Sequence, residues 1–211
     1  MKLREEDWLA LGVFLLCFYG YHTIYFYLSR RFPNRTRKGR LRQAIQSSFE
    51  DILQRQDPLL VVHQARNALM AVNFLAGASV ILLGALMSFT GVVESIQDIT
   101  VNIKATFKRT DLAVLLIIAT LGISFFSFLN SLRHYNLLTF LVSARPEKLR
   151  EIEETEPAQF LTELFMRGSD AYTLGRRAFL YSAVAGIWLL NVWAFVAITV
   201  FVTLWVAFYD R

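Results

Sequence analysis

The sequence predicts an all-α, polytopic membrane protein with four transmembrane helices and amphipathic helices between them. Three observations predict it. The apolar stretches are continuous rather than alternating, which favours helices over a β-barrel, and about twenty such residues cross a bilayer. Of the 211 residues, 55% are hydrophobic, and mean hydropathy is +0.41. A soluble domain of this size has no need of such runs. The cations lie between the runs, and the formal net charge is +5. In a membrane protein that balance reports loops retained on the cytoplasmic side, so nucleic acid is not an expected partner. The expectation is a single integral membrane domain, 1–211, with helices over about 8–28, 67–89, 112–142 and 178–208.

The first helix follows Met1–Asp7, which carries Glu5, Glu6 and Asp7. It lacks the basic start and small-residue cleavage site of a signal peptide, so it is expected to be retained. Its second half is aromatic, and His22 lies about a turn and a half before its exit. Cys17 is the only cysteine, which leaves no intrachain disulfide and no thiolate metal site. It reads as a small packing residue.

The first connection, 29–64, is rich in arginine, and Pro33 and Gly39 break its early part. Leu41, Ala44, Ile45, Ser48, Phe49, Ile52 and Leu53 then fit one helical stripe. This predicts an amphipathic helix ending before Pro58. Its narrow apolar face suits packing beneath a bundle better than lying on the membrane.

The second helix has no ionised side chain from Ala68 to Phe89. Arg66, Met70, Asn73, Gly77, Val80 and Gly84 share one face of it. Small residues permit close helix approach in lipid and a buried amide wants a partner, so this face is expected to meet protein. In the second connection, Val92, Ile96, Ile99, Ile103 and Phe107 form another helical stripe.

The third helix is longer than a bilayer needs, which places Asn130, Arg133, His134 and Asn136 near an interface. Its own stripe is Gly122, Phe126, Leu129, Arg133, Asn136 and Phe140. Residues 144–167 read as one or two solvated helices broken at Pro157. Arg167–Phe179 then leads into the fourth helix. No internal repeat is visible, which argues against an inverted-repeat transporter.

Lysine and arginine concentrate in the first and third connections, so these are expected to be cytoplasmic, with both termini outside the cell membrane. Trp8, Trp205 and Tyr209 would then share the outer interface. On that topology His22, Arg66, Asn67, Asn73, Arg133, His134, Asn136, Arg176 and Arg177 are candidates for one basic, ligand-binding or pore-lining layer. Gly77, Gly84 and Gly122 are the helix-packing candidates. The arginines either snorkel to lipid phosphate, cap helix ends, pair with Asp170 or a carboxylate of the third connection, or capture a small anion through the guanidinium fork. Gly168, Ser169 and Gly175 are expected to leave amides accessible at a helix N-terminus.

The apolar segments hold no Asp or Glu between their flanks, and His22, His63 and His134 lack metal-ligand spacing. No nucleophile–base pair or Walker motif is present. The chain is therefore expected to be neither an enzyme nor a cofactor or metal protein. The leading expectation is a homo-oligomeric channel or facilitator with an anion-attracting cytoplasmic mouth. The alternative is a non-transporting protein that binds anionic membrane lipids or a protein partner through its basic face.

Several short motifs resemble a known family. They are Gly20-Tyr21-His22, Gln64-Ala65-Arg66-Asn67 with Met70-Ala71, and Ser131-Leu132-Arg133-His134-Tyr135. Arg167-Gly168-Ser169 through Leu174-Gly175-Arg176-Arg177-Ala178-Phe179 is the longest, and Tyr209-Asp210 follows. In order and spacing they resemble domain-of-unknown-function family 599, found in bacteria, archaea and plants. Members often carry a Trp in the first connection, and this chain has none there. The resemblance implies a multi-pass membrane protein and assigns no activity.

Overall fold

The structure, a computed structural model, describes residues 4–31, 37–55, 57–88 and 108–209. These are helical almost throughout. The helices are α1 (Glu5–Leu15), α2 (Tyr21–Arg31), α3 (Arg37–Arg55), α4 (Leu59–Ser88), α5 (Arg109–Leu141), α6 (Pro146–Glu153), α7 (Pro157–Ile187) and α8 (Val192–Tyr209). A π-helical turn, Leu16–Gly20, joins α1 to α2. By length and composition, three helices among the described residues can cross a membrane: Glu5–Tyr25, Leu59–Ser88 and Arg109–Leu141. Val192–Phe208 is a shorter apolar helix. The stripe Val92, Ile96, Ile99, Ile103 and Phe107 lies outside the described residues.

The chain divides into two compact units. Unit one comprises Met1–Leu28, Ala78–Ser124 and Arg177–Arg211. Unit two comprises Ser29–Gly77 and Phe125–Arg176.

In unit one, Ala10, Phe14, Phe18 and His22 are all buried although they advance in steps of four residues. In a regular α-helix each such step overshoots a full turn by about 40°. The wider π turn absorbs that drift and keeps the four side chains in line. Phe14 meets Phe195 and Tyr181 at ring distances of 5.5 Å in each case, and Trp188 stacks on Phe195 at 5.1 Å.

The expected fourth helix, 178–208, is divided. α7 ends at Ile187 and α8 begins at Val192. The amides of Trp188, Leu189 and Leu190 bond three residues back, which tightens the helix end. Asn191 Oδ1 then accepts the amides of Trp193 at 2.8 Å and Ala194 at 3.2 Å, capping α8. Hydropathy does not register this break, because neither a charge nor a proline marks it. The Tyr181 hydroxyl meets Thr203 Oγ1 at 2.6 Å, so α8 folds back antiparallel to the end of α7. Asp7 lies beside the turn, through Trp188, while Phe14 lies further along beside Phe195. α1 and α8 therefore run in the same direction. Trp8 and Trp205 consequently lie at opposite ends of unit one, not at one shared interface as expected.

Unit two is a packed cluster from α3, α4, α5 and α7, including Phe49, Val61, Val72, Phe128, Leu138 and Leu161. α3 carries the expected amphipathic stripe, and its Ile45, Phe49, Ile52 and Leu53 join this cluster. Its polar side is tied to α7 by ion pairs Lys38–Asp170 and Arg42–Glu163, the latter at 2.9 Å. Asp170 is thus engaged by Lys38. α6 opens with Pro146 at its first turn and closes on Glu154, whose φ is 51°. Pro157 then starts α7, so 154–156 is the break expected there.

α7 runs uninterrupted through Gly168 and Gly175. The expected helix N-terminus at Gly168–Gly175 does not exist, and mid-helix amides there are used by the helix itself. These glycines serve close packing instead. A Cβ at Gly175 would lie 2.8 Å from the Phe128 ring, and one at Gly168 would lie 3.0 Å from the Tyr135 ring. Ser131 Oγ also donates to the Gly168 carbonyl at 2.8 Å, which fixes α5 against α7.

Candidate functional site

The predicted basic layer separates into two sets. The buried set lies in unit one. His22 is 6% exposed and Arg177 is 2% exposed. The π turn positions His22, whose Nδ1 pairs with the Phe18 carbonyl. The His22 ring lies 4.9 Å from the Phe18 ring and 6.4 Å from that of Tyr181. Tyr21 and Tyr25, one turn apart on α2, hold their rings nearly parallel at 6.1 Å. The Arg177 guanidinium lies 5.6 Å from the Tyr21 ring centre and 4.9 Å from that of Tyr25. The negative faces of these rings stabilise a cation withdrawn from water. Arg177 is therefore held by protein rings and does not snorkel to lipid.

The second set faces outward. Arg66, Asn67 and Asn73 on α4, Arg133 and Asn136 on α5, and Arg176 on α7 are exposed. His134 is partly buried, and its Nδ1 lies 2.7 Å from the Asn130 carbonyl. Among the described residues, no ion pair engages Arg66, Arg133 or Arg176. Both glycine-bearing stripes are exposed too. Met70 is 56% exposed and Phe126 is 70% exposed. An added Cβ at Gly77, Gly84 or Gly122 would meet nothing within 4 Å.

These stripes thus lie on the outside of the described residues. α4 turns Val61, Ala65, Val72, Ala76 and Ser79 to the core instead. Ser79 Oγ meets Ser124 Oγ of α5 at 3.3 Å. Helical spacing groups residues on a face but does not say which face turns inward. Small residues occur on two faces of α4, and alanine and serine rather than glycine form the buried one.

Sequence reading missed a third cluster. In unit one, Asp7 Oδ1 lies 3.6 Å from Arg109 Nε and accepts the Trp188 indole N–H at 3.3 Å. Asp7 Oδ2 accepts the Arg4 amide at 3.0 Å. Arg109 donates to the Trp188 carbonyl. One carboxylate and one guanidinium thus join the start of α1, the start of α5 and the α7–α8 turn. In sequence Asp7 is one of three consecutive acidic residues, and nothing marks it apart from Glu5 and Glu6. Its distinction is burial, at 3% exposure. Among the described residues, no three His, Cys, Asp or Glu side chains gather as a metal site would.

The motifs that carry the resemblance now have places. Gly20 ends the π turn, and Tyr21 supplies one of the two rings beside Arg177. Ser131 and Tyr135 meet Gly168. The model of a family described as protein of unknown function, DUF599, matches residues 9–211. The chain belongs to the DUF599 family. No match was found among curated proteins or among solved structures. In this family member the motif residues divide between internal packing, as with Gly168, Gly175 and Arg177, and the outer surface, as with Arg66, Asn67 and Arg133.

Proposed function

We propose that this DUF599 protein is the subunit of a small homo-oligomeric channel or facilitator of the cell membrane, with its anion-attracting mouth formed between subunits. The observation that supports it is the exposed face of α4. Asn73 lies on that face two turns beyond Arg66, inside the uncharged run, with Gly77 and Gly84 beyond it. An amide left against hydrocarbon costs roughly 2–7 kcal/mol. A second subunit or an aqueous path removes that cost. The glycines leave room for either, and Arg66 would focus anions at the mouth.

The basic first and third connections are taken as cytoplasmic and the start of α1 as outside. The hairpin of α7 and α8 then takes the Tyr209 end towards the cytoplasmic side, in place of the earlier expectation that both termini are outside. A second reading is favoured by the exposed, unpaired positions of Arg66, Arg133 and Arg176. They suit phosphate headgroups of anionic lipids, or an acidic partner surface, without any conduction.

Reversal potentials in proteoliposomes under a salt gradient separate the two. The channel reading expects anion preference in the wild type, a lower flux in Arg66→Lys and a lower anion preference in Arg133→Gln. Lysine keeps the charge of Arg66 but loses the bidentate fork. No conductance in liposomes of several compositions rejects the channel and leaves lipid or partner binding.

A further inference from the structure

Unit two contains a half-open cavity of about 340 Å³ between α3, α4, α5 and α7. Phe49, Val61, Leu138 and Phe165 form much of its wall, and Ala65 and Ala68 leave the space that larger side chains would fill. Tyr135 also contributes to its wall. The polar lining residues Ser48 and Gln64 are both exposed.

The cavity straddles a boundary written in α4. Ala68 is the first residue of the uncharged run, and Gln64 lies one turn earlier among His63 and Arg66. One end of the space therefore belongs to the hydrocarbon side of that helix and the other to its polar side. Its volume lies in the range of small-ligand sites. A water cluster would lack polar partners along most of the wall. A second helix, about 10 Å across, is too wide for it.

We propose that this cavity binds one acyl chain of a membrane lipid, with the tail against Ala65 and Ala68 and the ester end at Gln64 and Ser48. Straight methylene chains fit a narrow apolar space, and the Gln64 amide can donate to an ester carbonyl. The site is independent of conduction, because binding is expected in micelles whether or not the protein passes ions.

The test uses the full chain in maltoside micelles, titrated with cis-parinaric acid as a fluorescent acyl chain. Saturable binding of one probe per chain is expected, with displacement by a lysophospholipid. Ala65→Leu should fill the space and weaken binding at least tenfold. Ser48→Trp should do the same from the rim without touching the core. The ligand-free melting temperature of Ala65→Leu should not fall, which separates a filled site from an unfolded one. Native mass spectrometry of protein released from membranes should retain one phospholipid, and Ala65→Leu should lose it. Probe uptake that scales with micelle amount, equal affinity in wild type and both variants, or retention of free fatty acid alone would each overturn the proposal.

Discussion

Gly175 lies where a methyl group would meet the ring of Phe128, which is itself fully buried and has no space to yield. Overpacking of this kind costs about 1–3 kcal/mol, more than the roughly 1 kcal/mol that alanine gains over glycine in a helix. Gly175→Ala should therefore lower the thermal midpoint in detergent. Gly77→Ala should raise it or leave it unchanged, because only the propensity gain applies where nothing lies within 4 Å. Equal losses at the two positions would mean that the exposed face of α4 is packed after all. The two arginines at 176 and 177 make the same point about chemistry. Neighbours in sequence, they are exposed and 2% exposed respectively, so one faces the surroundings and the other a pair of tyrosine rings.

The element that differs most from expectation is the long last helix. The Asn191 side chain caps the helix that follows its break, so Asn191→Ala should cost about 1 kcal/mol by removing the cap of α8. The Asp7–Arg109–Trp188 cluster holds the same turn from the other side. Asp7→Ala leaves a buried guanidinium without its counter-charge, and a loss of about 3–5 kcal/mol is expected in denaturant or thermal titration. The double variant Asp7→Leu with Arg109→Met should recover much of that loss, since it removes both charges together. A double variant no more stable than Asp7→Ala would show that the pair contributes through specific bonds rather than mutual neutralisation. Much of the fold was legible in the sequence. The uncharged runs gave α4 and α5 to within a few residues at most ends, and the stripe from Leu41 to Leu53 gave α3. The Asn191 turn was not legible, because its cap forms within an unbroken apolar stretch. The candidate layer was legible only in part. Helical spacing brought Arg66 and Asn73 together on one face, but the sense of that face depends on neighbours that spacing does not encode. Nor did anything local foretell that Gly168 and Gly175 serve packing against Tyr135 and Phe128.

With Cys17 replaced, single cysteines at positions 2 and 211 should label from opposite sides of the membrane. Labelling of both from one side would contradict the hairpin of α7 and α8. Gly84→Leu should shift an oligomer towards monomer in light scattering while leaving the helical content of the chain intact. An unchanged mass would remove that face from the assembly. The Trp188–Asp7 hydrogen bond also has a consequence in time. Its partners are 181 residues apart in sequence. At ordinary translation speeds roughly 10 to 40 s pass between synthesis of the carboxylate and arrival of the indole that receives it. Throughout that interval the first span carries an acidic residue whose final surroundings do not yet exist. α1 is thus locked only once the α7–α8 turn has been made, and nascent chains halted before that turn should be the ones that a membrane quality-control protease recognises.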